Sequence, residues 1–98
     1  MNERDRRILD VIHSLREGEV VTYGDIAEDA GYPKRSRLVG HILANTDEDV
    51  PWWRVVRADG SLAKGDRQRA LLEDEGVPFR GARVNMAVAR LPADVDLA

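Results

Sequence analysis

The chain has 98 residues, of which 43% are hydrophobic and 34% charged. These values fit one small globular domain and argue against an intrinsically disordered chain. The sequence contains no cysteine, which excludes a disulfide framework, a cysteine zinc site and a thiol nucleophile. Because its two histidines, His13 and His41, are too few for a metal cluster, we expect neither a metal nor another cofactor.

The net charge of -3 has the wrong sign for bulk electrostatic attraction to nucleic acid. The charges are segregated, however, and basic residues recur in three groups: Lys34, Arg35 and Arg37; Arg54 and Arg57; Lys64, Arg67 and Arg69. The composition therefore lowers the expectation of nucleic-acid binding without excluding it. The apolar residues form no unbroken stretch that fits a signal peptide or a membrane span, which predicts a cytoplasmic protein.

An amphipathic helix is predicted from Asn2 or Glu3 to Glu17, with Gly18 as its C-terminal stop. Its apolar residues recur at helical spacing on one face: Ile8, Val11, Ile12 and Leu15. The next apolar pair, Val20–Val21, fits either a short strand or an extended linker.

Two short helices are predicted next. Thr22 begins the first of them with Asp25 in a capping-box relation, and Gly31 ends it. Its inner side consists of Ile26, Ala27 and Ala30. Pro33 suits the first turn of the next helix, from Lys34 to Ala44. This helix has a predicted buried stripe of Leu38, Val39, Ile42 and Leu43, and an outer face of Arg37, Gly40, His41 and Ala44. The pair predicts a helix-turn-helix.

The second half of the chain is predicted to supply a small hairpin and a last helix. Residues 54–57, 58–60 and 61–62 are predicted to form a strand, a turn and a strand, because Asp59–Gly60 between such segments is a hairpin signal. Asp66 is predicted to cap a helix that contains Leu71 and Leu72 and is closed by Gly76, and residues 79–84 fit a short final strand. The fold class is thus mainly α with a small β-hairpin, a winged helix-turn-helix in a single domain over residues 1–90. The acidic tail, residues 91–98, is predicted to be flexible.

The outer face of the third helix is the candidate DNA-binding surface. Its basic start at Lys34, Arg35 and Arg37, the small Gly40 and the polar His41 suit a helix that approaches a nucleic-acid backbone closely. A solvated face is the alternative, because exposed basic clusters are common. Tyr23, at the start of the preceding helix, could contact a phosphate or only fix the helix end.

Trp52–Trp53 follows Pro51 and fits either core packing or a stacking platform for a base. Because residues in an extended segment alternate faces, we expect one indole to point into the core and the other toward a pocket.

Three blocks in this order resemble the DNA-binding domain of the O6-alkylguanine-DNA alkyltransferases, and more closely its cysteine-less branch, the alkyltransferase-like proteins. Residues 21–27 resemble the family's Thr-Tyr-Gly segment, and residues 36–40 its Arg-Ala-Val-Gly recognition helix. Residues 51–56 stand where the enzymes have Pro-Cys-His-Arg-Val. The closing helix matches through Leu71–Leu72 and Glu75–Gly76.

The differences from the family bear on chemistry. Trp52 stands at the acceptor cysteine and Trp53 at the relay histidine, so the resemblance implies no alkyl transfer, because an indole does not replace a thiolate. Glu75 matches the carboxylate of the family's histidine-water-glutamate relay, but it has no histidine to act on because position 53 is tryptophan. The stretch from Ser61 to Asp66 is shorter than the family's substrate loop, which predicts a wider pocket.

The resemblance also implies roles for individual residues. Arg37 would fill the space of an extruded nucleotide, Tyr23 would press the 3′ phosphate, and Gly40 and Ala44 would line the minor groove, with Lys34, Arg35 and His41 beside them. The predicted lesion pocket consists of Tyr23, Trp52, Trp53, Val55 and Ser61, with the carbonyls of Trp52 and Val55 offered to the guanine amine. Asn45, bracing the turn before the pocket, Arg54 and Glu75 are predicted to be structural.

The resemblance implies a non-enzymatic, monomeric, nucleoid-associated sensor that binds O6-alkylguanine in double-stranded DNA, flips the base and flags it for nucleotide excision repair proteins. The alternative is a winged-helix regulator that reads sequence without base flipping. Such a regulator would typically dimerise, and no dimer seam is evident in the sequence.

Overall fold

The computed structural model of the protein describes residues 1–90, and the predicted tail at 91–98 lies outside the described residues. The described part is mainly helical with two small two-stranded sheets. In chain order the elements are α1 (Glu3–His13), β1 (Val21–Thr22), α2 (Tyr23–Asp29), α3 (Ser36–Asn45), a 3-10 turn (Trp52–Arg54), β2 (Val55–Val56), α4 (Gly65–Asp74), β3 (Phe79–Arg80), β4 (Arg83–Val84) and α5 (Met86–Ala89).

Helix α1 begins as predicted but ends at His13 rather than Glu17. The Asn2 side chain caps it by accepting a 2.8 Å hydrogen bond from the Asp5 amide. At the other end, the Ser14 hydroxyl donates to the carbonyl oxygen of Val11 at 2.6 Å. A serine that bonds its own backbone competes with continued helix, so the chain turns here, yet Leu15 still reaches the core.

Helices α2 and α3 form the predicted helix-turn-helix. The capping box of α2 is present, because the Thr22 hydroxyl accepts from the Asp25 amide at 3.0 Å and Asp25 accepts from the Thr22 amide at 2.9 Å. Helix α3 begins at Ser36, later than predicted, since Lys34 has a φ of +65°, outside the right-handed helical region. The buried residues Ile26, Ala27, Val39 and Ile42 join the two helices.

The hairpin predicted at residues 54–62 is wrong. Strand β2 pairs instead with β1, in parallel, with Val21 opposite Val55 and Thr22 opposite Val56. Residues 57–61 form only a turn, in which the Arg57 amide donates to the Ser61 carbonyl at 3.1 Å, and the Gly60 carbonyl accepts from the Val84 amide at 2.9 Å. A Cβ at Gly60 would lie 2.5 Å from the Val84 carbonyl oxygen, so only glycine permits this close approach.

The actual hairpin lies where a single final strand was predicted. Strands β3 and β4 are antiparallel, with Phe79 opposite Val84, and Gly81 turns between them at a φ of +63°. Because Gly60 is bonded to Val84, this hairpin closes over the turn that follows β2.

Two buried clusters hold the described residues together, and β2 bridges them. Val55 is fully buried in the first cluster, among α1, α2 and α3, whereas Val56 is fully buried in the second, with Leu72, Val77 and Val84. A strand buried on both faces accounts for the apolar pair at these positions. Within residues 1–90, none of the helices has the length and apolar character needed to cross a membrane.

Candidate nucleic-acid interface

The exposed face of α3 presents the predicted DNA-contacting residues. Arg37, His41 and Ala44 are exposed on it, Gly40 is half-buried, and Lys34 and Arg35 are exposed just before it. Gly40 lies against the ring of Tyr23, where an added Cβ would sit 3.8 Å from Cε1. That distance is an ordinary contact, so packing inside the protein does not itself require glycine here. Its small size instead keeps the face beside Tyr23 open.

A cavity of about 510 Å³ opens between this face of α3 and the start of α4. Its volume lies within the usual range for ligand sites. Of the five residues predicted for the lesion pocket, Tyr23 and Trp52 line it. The full lining is Tyr23, Gly40, Leu43, Ala44, Trp52, Ala63, Lys64, Arg67 and Gln68.

The two indoles pack against different buried clusters, Trp52 against the first and Trp53 against the second, and the segment that carries them is a 3-10 turn rather than the extended strand that was expected. Their ring centroids are 5.9 Å apart and the planes perpendicular. Trp52 faces the cavity, with the Arg67 guanidinium 5.5 Å from its ring centroid. Trp53 packs against the second cluster, and its Nε1 donates to Glu75 Oε2 at 2.8 Å. Trp53 therefore lies behind the cavity wall.

Glu75 is the centre of a nearly buried polar network. Its carboxylate accepts from Arg54 Nη2 at 2.7 Å and from the Gly18 amide at 2.8 Å, in addition to Trp53. The Arg54 and Glu75 side chains are only 13% and 9% exposed. Burial acts to raise the pKa of Glu75, but the hydrogen bonds from Arg54, Gly18 and Trp53 outweigh it and lower that pKa. Arg54 also donates to the Leu15 carbonyl at 2.8 Å, which connects the 3-10 turn to the end of α1.

Three further predicted site residues lie away from the cavity. Val55 is fully buried, and Ser61 lines a separate depression beside Arg69. Asn45 donates to the His41 carbonyl at 2.8 Å, so it closes the last turn of its own helix rather than bracing the next loop. The carbonyls expected to face guanine already accept protein hydrogen bonds: that of Trp52 from the Val55 amide, and that of Val55 from Gln68.

Helix α4 contributes to the cavity, which its sequence did not lead us to predict. Lys64, Arg67 and Gln68 follow one another at helical spacing and line the cavity together. Gln68 is only 1% exposed, and its Nε2 donates to the carbonyls of Trp53 at 3.1 Å and Val55 at 2.9 Å. A polar residue at an inward helical position was the available signal. These bonds fix the start of α4 against the turn that carries Trp52.

The electrostatics of this face differ from those of the whole chain. Among residues 1–90, six cations around it form no ion pair with a carboxylate: Lys34, Arg35, Arg37, Arg57, Lys64 and Arg67. Burial raises the pKa of the Tyr23 phenol, although the positive charge of Arg57 opposes this. The phenol is thus a neutral hydrogen-bond donor at physiological pH, surrounded by cations.

A helix-turn-helix with a cationic outer face is the architecture of a DNA-binding domain. Residues 3–77 match the family described as the 6-O-methylguanine DNA methyltransferase, DNA binding domain, and the chain belongs to this family. The predicted fold class is confirmed by that match.

Among its relatives is the DNA base-flipping protein of Vibrio parahaemolyticus, 46% identical over 72% of this chain and 77% of the relative. Alkyltransferase-like protein 1 of Schizosaccharomyces pombe is 35% identical over 79% of each chain. The crystal structure of S. pombe Atl1 in complex with damaged DNA containing O6-carboxymethylguanine superposes with a TM-score of 0.80 at 30% identity, covering 94% of this chain and 97% of that one. The resemblance deduced from the sequence blocks is thereby confirmed.

Proposed function

We propose that the protein is a non-enzymatic sensor of O6-alkylguanine, which binds double-stranded DNA and turns the damaged base out of the helix into the cavity beside Trp52. The observation that carries the proposal is this cavity, which adjoins the cationic face of α3 in a chain without cysteine. The relatives named for base flipping, and the relative solved with O6-carboxymethylguanine DNA, support it.

The physical requirements of base flipping match the residues available. Extruding a base costs a few kcal/mol, and less when the base is damaged and pairs poorly. Arg37, exposed on the outer face of α3, can enter the vacated space in the stack. The phenolic O–H of Tyr23 can donate a hydrogen bond to a phosphate at the cavity edge. Trp52 offers a ring face in the cavity, where Arg67 supplies positive charge near the alkylated base.

Alkyl transfer lacks both of its chemical groups here. The family's transfer is displacement by a thiolate, and an indole at position 52 supplies no equivalent nucleophile. Trp53, which stands for the histidine, only donates through its N–H and accepts no proton from a nucleophile. Glu75 is held by Arg54 and Trp53. These contacts favour recognition without reaction.

The test compares binding of the intact protein to two duplexes that differ only in one guanine or O6-methylguanine. We expect tighter binding to the damaged duplex, increased fluorescence of a base analogue at the flipped position, and no mass added to the protein. Equal affinity for the two duplexes would instead favour the winged-helix regulator.

Restoring the cysteine alone is expected to give no efficient transfer. Trp52→Cys supplies a thiol, but no base is present to form the thiolate, because position 53 remains tryptophan. Mass spectrometry of the variant after incubation with O6-methylguanine DNA measures the transferred methyl group. The double variant Trp52→Cys/Trp53→His is the comparison, since it restores both positions. Rapid stoichiometric methylation of the single variant would contradict this account of the relay.

Arg37→Ala is expected to weaken binding to all O6-alkylguanine duplexes by similar amounts, about 1–3 kcal/mol, because the arginine replaces the base in the stack whatever alkyl group is present. The fluorescence of a flipped base analogue should fall in parallel. Arg16→Ala removes the same charge from an exposed residue in the loop after α1 and serves as the control. An equal effect of the two variants would show that Arg37 contributes only charge.

We further propose that the bound, unrepaired lesion is handed to nucleotide excision repair proteins by a monomer whose working unit is residues 1–90. A sensor without transfer chemistry requires a second activity to remove the damage. Adding the protein to a reconstituted excision reaction should raise incision at O6-alkylguanine and leave incision of other lesions unchanged. No change at O6-alkylguanine would remove this part of the proposal.

A further inference from the structure

A second groove adjoins the lesion cavity on the far side of Tyr23. Its volume is about 470 Å³, and it shares Tyr23, Gly40 and Ala63 with the cavity. Two arginines, Arg37 and Arg57, line it, and no carboxylate is among its lining residues. A groove with two unopposed guanidinium groups is suited to an anion.

The sheet fixes Arg57 beside Tyr23. Strands β1 and β2 run in parallel, and Thr22 lies opposite Val56. The residues that follow them, Tyr23 and Arg57, therefore leave the sheet side by side. Because Val56 is fully buried, the backbone before Arg57 is rigidly held.

The Arg57 side chain is exposed and only partly engaged. Its Nη1 lies 3.3 Å from the Leu62 carbonyl oxygen and 3.5 Å from Ser61 Oγ, at the edge of the turn. Within residues 1–90, its Nε and Nη2 make no hydrogen bond, and the residue forms no ion pair. The turn thus holds the guanidinium through Nη1, and its other two nitrogens have no partner among the described residues of this groove wall.

We propose that Arg57 and Tyr23 together bind one backbone phosphate of the damaged strand, next to the extruded nucleotide. This inference rests on the proposed function. The strand that lies along the outer face of α3 passes its backbone across the shared edge at Tyr23 and Gly40 whether or not a base is extruded, so a phosphate reaches the groove in damaged and intact duplexes alike. There the Tyr23 hydroxyl donates from one side and the Arg57 guanidinium from the other.

This assignment separates the tasks of the two arginines. Arg37 acts in the base stack, whereas Arg57 acts on the backbone, which is the same in damaged and intact DNA. Phosphate contacts set position and affinity but carry no information about the base. Arg57 therefore contributes equally to both kinds of duplex, and its contribution depends on salt.

The experiment measures affinity against salt concentration for the intact protein, Arg57→Gln, Arg57→Lys and the charge-matched control Arg16→Gln. Each protein is titrated with a guanine duplex and an O6-methylguanine duplex. We expect Arg57→Gln to weaken both complexes by the same factor, about tenfold. The slope of log K against log salt should fall by about 1, and Arg57→Lys should restore it. Melting temperatures should remain unchanged.

A set of duplexes, each with one neutral methylphosphonate linkage near the lesion, then locates the phosphate. At one of the two linkages that flank the damaged nucleotide, the intact protein and Arg57→Gln should bind equally. The inference is overturned if Arg57→Gln behaves like Arg16→Gln, if its loss is confined to damaged DNA, or if its penalty persists on every duplex. Equal binding of the intact protein to damaged and intact DNA would contradict the proposed function instead, whatever Arg57 does.

Discussion

Replacing Glu75 by alanine is expected to lower the free energy of unfolding by about 3–5 kcal/mol, the cost of leaving one member of a buried ion pair without its partner. The Arg54 guanidinium would stay nearly buried with its charge unpaired, and the Trp53 indole and the Gly18 amide would lose their acceptor. Thermal unfolding measures the effect, at roughly 4–8 °C per kcal/mol for a domain of this size.

Glu73→Ala is the matched control, because Glu73 lies in the last turn of α4, two residues before Glu75, and its pair with Arg69, at 3.5 Å, is exposed. We expect that variant to change the stability by no more than about 0.5 kcal/mol. Equal melting temperatures for Glu73→Ala and Glu75→Ala would show that the network contributes nothing.

Acid should reveal the same network in the unaltered protein. The folded-state pKa of Glu75 is lowered, so its contribution to stability is present above the unfolded-state pKa and is lost as pH falls through the folded-state value. The isosteric Glu75→Gln variant carries no titrating carboxylate. Its unfolding free energy should therefore decline less than that of the unaltered protein on acidification.

Local signals in the sequence were enough to predict α1, α2 and α3, whereas α5 was not predicted. The capping box at Thr22 and Asp25 and the apolar spacing in α1, α2 and α3 depend on neighbours within one or two turns, and the structure contains them. The strand predictions were wrong where the pairing depends on residues far apart in the chain. The Asp59–Gly60 turn signal predicts a local hairpin, but the buried pairing of Val55 with Val21 is a contact over more than thirty positions, and it prevailed.

The same contrast between local and distant contacts applies to the candidate site. Arg37, Gly40, His41 and Ala44 share one face of one helix, so helical periodicity alone placed them together. The cavity could not be predicted from α3 alone, since its other wall is the start of α4. Lys64, Arg67 and Gln68 lie beside Trp52 because Gln68 donates to the backbone carbonyls of Trp53 and Val55, in the 3-10 turn and in β2. Periodicity within one segment carries no information on such a contact between segments.

Removal of the two indoles is expected to have different effects. Trp53 packs against the second cluster and is bonded to Glu75, so Trp53→Ala is expected to destabilise the protein by about 3–5 kcal/mol. Trp52 faces the cavity, so Trp52→Ala should cost less stability and instead change the ranking of affinities for O6-methyl, O6-benzyl and larger guanine lesions. Each variant is measured twice, by thermal unfolding and by competition among the lesion duplexes. Trp53→Phe is the intermediate variant, because it keeps one aromatic ring in the cluster and loses the rest of the indole together with the N–H bond to Glu75. If Trp53→Ala instead alters the lesion ranking and Trp52→Ala unfolds the protein, Trp53 is the residue that meets the alkyl group and the assignment made from the cavity is reversed.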